Sequence, residues 1–166
     1  MKNNNFQKIT PCLWFDKQAE DAVKFYTSVF KDSKILRTSH YGEGMPGPAG
    51  TVMTISFLLQ GQEFTALNGG PDFKFNEAVS LVVKCETQEE IDMFWEKLSA
   101  DGGQKVECGW LKDKFGLSWQ VVPAALDKMV SDSDPERSQK VMQELLRMKK
   151  LDIKTLEQAY NEKVTT

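Results

Sequence analysis

The sequence predicts an α+β fold built from a duplicated β-α-β unit, with one copy in each half of residues 8–124 and a helical tail after them. Two observations carry this. Ala19 to Tyr26 aligns without a gap to Gln88 to Trp95, each segment ending in an aromatic pair (Phe25-Tyr26 and Phe94-Trp95). Each segment also follows an apolar strand-like run and recurs at helical spacing.

In the first copy, residues 8–15 read as a strand and Asp16 as the helix N-cap. Ala19, Ala22, Val23, Tyr26, Val29 and Phe30 then form one apolar stripe, so the helix packs on a core. The helix stops near residues 31–33. Strands follow at 35–41, 51–59 and, after the Gln60-Gly61-Gln62 turn, 63–67; Asn68-Gly69-Gly70-Pro71 ends the unit. In the second copy, residues 78–85 form the strand. Thr87 and Glu90 make a capping box, and Ile91, Phe94, Trp95 and Leu98 mark the helical face. Gly116 turns the chain into a closing strand at 117–122, and Trp110 to Lys114 reads as loop.

Past Pro123, Asp134-Pro135 starts one helix with Val141, Leu145 and Met148 on its apolar face. Asp152 starts another, carrying Ile153, Leu156 and Tyr160. The expected layout is a domain over 1–124, with module one at 8–71 and module two at 78–124, extended by helices over 125–166.

Composition narrows the function. The chain has 166 residues, 40% hydrophobic and 27% charged, with net charge −3. There is no basic stripe for a nucleic-acid backbone. No apolar run is long enough to span a bilayer, and the tail mixes acidic with basic residues, so no membrane partner is expected. The N-terminal residues lack the apolar segment of a secretory signal. Cys12, Cys85 and Cys108 are odd in number and widely spaced, which argues against a disulfide framework and points to a cytoplasmic home.

Chemistry-bearing motifs are sparse. Gly42 to Gly47 matches G-x-G-x-x-G, but Pro46 and Pro48 and a following strand leave no helix to face a phosphate. His40, the only histidine, ends a strand beside this loop and is a candidate general base or rim group. Tyr41, Glu43 and Cys12 are further enzymatic candidates. No G-x-S-x-G elbow accompanies a Ser-His-Asp set. Trp110 is a candidate to close a ligand pocket.

Thr10 to Asp16, Phe57 through Ala66 to Pro71, and Cys108 to Gln120 resemble the PhnB-like branch of the vicinal oxygen chelate superfamily, which includes glyoxalase I, extradiol dioxygenases and bleomycin-resistance proteins. The resemblance implies paired βαβββ modules (the glyoxalase/bleomycin-resistance-like fold), a cleft between them and a homodimer. The branch often carries the label 3-demethylubiquinone-9 3-methyltransferase, a chemistry for which the glycines offer no support. The resemblance also implies that metal-dependent members place ligands at positions falling on Pro11, Ala66, Ser80 and Gln120. Pro and Ala have no ligating side chain, and Ser and Gln are weak neutral donors, so neither a metal nor another cofactor is expected.

The favoured reading is metal-independent binding of an unidentified small molecule. By strand parity the cleft is lined by Pro11, Leu13, Phe15 and Ala66 from module one and Ser80, Val82, Gln120 and Val122 from module two. Asn68, Ser80 and Gln120 supply hydrogen bonds, and Trp110 and His40 lie at the rim. The alternatives are an enzyme of the same fold and a scaffold subunit with a vestigial cleft.

Overall fold

A computed structural model describes residues 7–162. It divides into two units, the first ending at Phe75 and the second beginning at Asn76. Each is built from one four-stranded mixed sheet and a helix.

In the first unit, β1 (Cys12–Phe15) leads into α1 (Ala19–Val29), followed by β2 (Lys34–His40), β3 (Val52–Leu59) and β4 (Gln62–Asn68). The sheet order is β1-β4-β3-β2, with β1 parallel to β4 and the other pairs antiparallel. The predicted first strand is shorter than expected. Its pairing starts where the Pro11 carbonyl accepts the Thr65 N–H at 2.9 Å. The α1 stripe is buried as its spacing requires, with Tyr26 stacked on Phe57 at 6.5 Å and Phe57 on Phe64 at 5.6 Å.

Asp16 does not cap α1. The N-cap is Gln18, without a side-chain cap of its own. The free Ala19 N–H is met instead by Asn68 Oδ1, 2.9 Å away at the end of β4. A cap supplied 49 residues downstream leaves no local sequence signature.

The second unit repeats the plan with β5 (Ser80–Cys85), α2 (Gln88–Leu98), β6 (Gln104–Lys105), β7 (Trp110–Lys112) and β8 (Ser118–Pro123), in the order β5-β8-β7-β6. Thr87 caps α2 as expected, accepting the Glu90 N–H. The Glu90 carboxylate reaches one residue further back than a capping box requires and takes the Glu86 N–H at 2.7 Å. Trp110 to Lys112, expected as loop, forms β7. Asp113, 3% exposed, folds the turn that returns β7 to β8. Its carboxylate accepts the Phe115 and Leu117 N–H groups and the Trp119 indole N–H, the last at 2.9 Å. The aromatic pairs behave alike in both units, since Tyr26 and Trp95 are both buried.

Three helices complete the second unit: α3 (Leu126–Val130), which the periodicity did not reveal, α4 (Pro135–Leu145) and α5 (Ile153–Asn161). Asp134 and Asp152 cap α4 and α5 as predicted. Val122, Leu126, Met129, Val141, Leu145, Leu151 and Leu156 share one core. Two backbone bonds of 2.7 Å, from the Cys108 and Gly109 N–H groups to the Met148 and Lys149 carbonyls, tie this tail to the sheet. Gly109 is required there: its φ is +80°, and a Cβ would come within 2.8 Å of the Val121 carbonyl. Gln88 grips the tail from α2, donating to the Leu151 carbonyl and accepting the Ile153 N–H. Among the described residues no helix is long and apolar enough to cross a membrane.

Candidate functional site

Each sheet has one face packed on its helix and one turned away from it, and the strand register assigns every residue to a face. In the first sheet, Leu13 lies beside Ala66, and Ala66 beside Ile55. They share the face of Phe57 and Phe64, on which Tyr26 of α1 stacks. Leu13, Phe15 and Ala66 are therefore core: 6%, 3% and 0% exposed. The expectation that they line an open face is corrected by this register. Pro11 keeps the same parity.

Asn68 is also on the helix side, and its amide is fully engaged. Besides capping α1, Nδ2 donates to Glu20 Oε2 at 2.9 Å and to the Val52 carbonyl at 3.0 Å. It holds the fold together rather than offering hydrogen bonds to a ligand.

The opposite face of the first sheet carries Cys12, Trp14, Thr54, Ser56, Thr65 and Leu67. Much of it is bonded internally. Ser39 and Thr54 share a 2.6 Å hydrogen bond, and the Trp14 indole donates to the Gly70 carbonyl while packing edge-on against Phe73 at 5.0 Å. Gly69 is pressed on the Trp14 ring and Gly47 on the Tyr41 ring, each too close for a Cβ. Residues 42–47 form a loop between β2 and β3 in which no helix opens. Tyr41 donates its hydroxyl to the Asn68 carbonyl at 2.5 Å, and His40 is exposed at the end of β2. Desolvation raises the Cys12 thiol above its ordinary pKa, which lowers its thiolate fraction.

The second sheet differs. Cys85 lies on the α2 side: burial and then the Glu90 charge push its thiol up to about 12. By alternation Ser80, Val82 and Lys84 point the other way. Register brings Ser80 beside Ser118 and Ser118 beside Lys112, in one row across three strands. The next row is Val82, Gln120 and Trp110. Gln120 Nε2 donates to Ser80 Oγ at 2.9 Å. Ser118 is 1% exposed and its hydroxyl has no hydrogen-bond partner among the described residues, whereas Val82 is 50% exposed. Lys112 is paired with Glu77.

Of the predicted site residues, Ser80, Val82, Gln120 and Trp110 are thus brought together. Val122 is not: it belongs to the core under the C-terminal helices. Sequence reasoning missed Ser118 and Lys112. The signal was the two-residue alternation from Gln120 back to Ser118, and it was lost on Lys112 because β7 was not foreseen.

The metal implied by the wider superfamily does not fit these residues. Ser80 and Gln120 are neutral, and the Gln120 amide presents its N–H side to Ser80. Among the described residues no group of three or more His, Cys, Asp or Glu side chains could hold an ion.

The comparisons agree with the fold. A family model described as 3-demethylubiquinone-9 3-methyltransferase matches residues 7–122. The PhnB protein from Bacillus cereus, which bears the same description, is 43% identical over 70% of this chain and 99% of its own, with a TM-score of 0.64. Protein PA1353 from Pseudomonas aeruginosa shares the fold at 18% identity (70% of this chain, 98% of its own, TM-score 0.58). So does the fosfomycin resistance protein FosX from Listeria monocytogenes, solved with Mn(II) and sulfate, at 14% identity (74% and 94%, TM-score 0.51). No curated protein matches. The two four-stranded sheets with their helices are the modules of a glyoxalase-like fold, and the chain belongs to the PhnB-like family of 3-demethylubiquinone-9 3-methyltransferase description.

Proposed function

We propose that the protein is a metal-independent small-molecule-binding member of this family, acting as a homodimer, with its ligand on the face of the second sheet turned away from α2. The observation that carries this is the unpartnered Ser118 hydroxyl beside the Gln120–Ser80 pair. A buried hydroxyl without a partner costs about 1–3 kcal/mol; Ser118 is 1% exposed, so a ligand that displaces the side chains over it gives that hydroxyl a partner. Val82 and Trp110 add apolar surface alongside, the usual composition of a ligand site. This face replaces the wider cleft lining expected from parity, because Leu13, Phe15, Ala66 and Val122 support the interior.

A fragment screen read by amide shifts in the full-length protein tests the site. Hits should converge on residues 80–84, 110–112 and 118–120; convergence on the first sheet would overturn it. The family description favours a second reading, methyl transfer from S-adenosylmethionine. Calorimetry with that cofactor decides between them: the binding reading expects no heat at millimolar ligand, and saturable binding would favour the enzyme. Sedimentation showing only the 18.8 kDa species across micromolar concentrations would remove the homodimer.

A further inference from the structure

The rows on the second sheet are chemically unequal. Ser80, Ser118 and Lys112 form a row of two hydroxyls and an ammonium; Val82, Gln120 and Trp110 form one of apolar surface around an amide. Strands stand about 4.8 Å apart, so each row spans roughly 10 Å. Lys112 is only 27% exposed, while its partner Glu77 is 63% exposed. Glu77 lies in the stretch before β5, outside regular structure. Its carboxyl is held below the usual range by the hydrogen bond from Lys112 first, so at neutral pH a carboxylate already occupies the ammonium.

We propose that this patch recognises a small organic carboxylate with a flat apolar body, and that the Glu77 carboxylate is an intramolecular stand-in which the ligand displaces. This rests on the site reading above. The ligand carboxylate would take the Lys112 ammonium and accept the Ser118 hydroxyl hydrogen, giving that hydroxyl the partner it lacks. The body would lie across Val82, Gln120 and Trp110. One ammonium matches a monoanion. A dianionic phosphoryl group would need a second cation, and the neighbouring Lys84 is bound to Asp127 at 2.5 Å.

The test compares benzoate, benzamide and phenylphosphonate, equal in ring and different in head group, by amide-shift titration. Benzoate should bind about tenfold more tightly than benzamide, the difference a charge-assisted hydrogen bond provides. Lys112→Met should erase that preference. Glu77→Gln, at an exposed side chain, should tighten benzoate by up to about fivefold, the worth of an exposed ion pair. Equal binding of benzoate and benzamide would overturn the anion assignment and leave the site intact. Tighter phenylphosphonate binding would overturn the carboxylate assignment. Failure of all three to shift residues 110–120 would overturn both the assignment and the site.

Discussion

The two sheets descend from one plan and use it differently. In the first, Asp16, Lys17 and Gln18 connect strand to helix; in the second, only Glu86 and Thr87 do. A gapless alignment that brings Ala19 onto Gln88 places Pro11 opposite Ser80. Matching the buried strand ends, Phe15 with Cys85, places Thr10 opposite Ser80 instead. One extra residue in a connection thus moves a whole strand to the other parity, since side chains alternate with a period of two. Leu13 and Phe15 face a helix; Ser80 and Val82 face away from one. Copies related by duplication are equivalent in their helices and out of step in their strands.

The sharpest way to break this comparison uses the two amides that both looked like ligand contacts. Asn68 bonds to Ala19, Glu20 and Val52, whereas among the described residues the Gln120 side chain bonds to Ser80 alone. Asn68→Ala removes a helix cap and two further hydrogen bonds, and is expected to cost about 2–3 kcal/mol in denaturant unfolding. Gln120→Ala should cost less than about 1 kcal/mol, because it strips one bond at a half-buried position. Equal losses would return Asn68 and Gln120 to the same role.

Helices with an apolar stripe and most of their local caps were readable, Asp16 being the exception. The stripe from Ala19 to Phe30 and the caps at Thr87, Asp134 and Asp152 all form. What escaped is non-local. The α1 cap comes from β4, and the short β7 is held by the Asp113 turn and by pairing with β8, not by its own pattern. Half of the predicted face was misread for a related reason: parity shows which residues share a side, and only packing shows which side the helix takes. Ser80, Val82 and Gln120 lie on one face because their alternation runs within β5 and β8, where no connection intervenes; Trp110 joins them through β7, which the sequence pattern reads as loop.

A smaller effect separates the tail of the second unit from its sheet. Three carboxyls in the tail or bonded to it are held below their ordinary values: Asp132 by the Tyr160 hydroxyl first, Asp152 by the Thr155 hydroxyl first, and Asp92 of α2 by Lys150 first. Each joins the tail to something. Asp132 accepts Tyr160 of α5 at 2.5 Å, Asp152 caps α5, and Asp92 binds Lys150 at 2.6 Å. A carboxyl whose folded pKa is depressed stabilises the fold above its unfolded value, near about 4, and that stabilisation is lost as pH falls through the folded pKa. The tail should therefore keep its protection down to about pH 4 and loosen below it, while the β5–β8 pairing persists to lower pH. Amide signals of residues 148–161 followed through an acid titration measure this. Tail amides that stay protected well below pH 4, or that are lost only together with the strand amides, would show that the hydrophobic core of Val122, Leu145 and Leu156 sets the tail's stability and that these carboxyls add nothing to it.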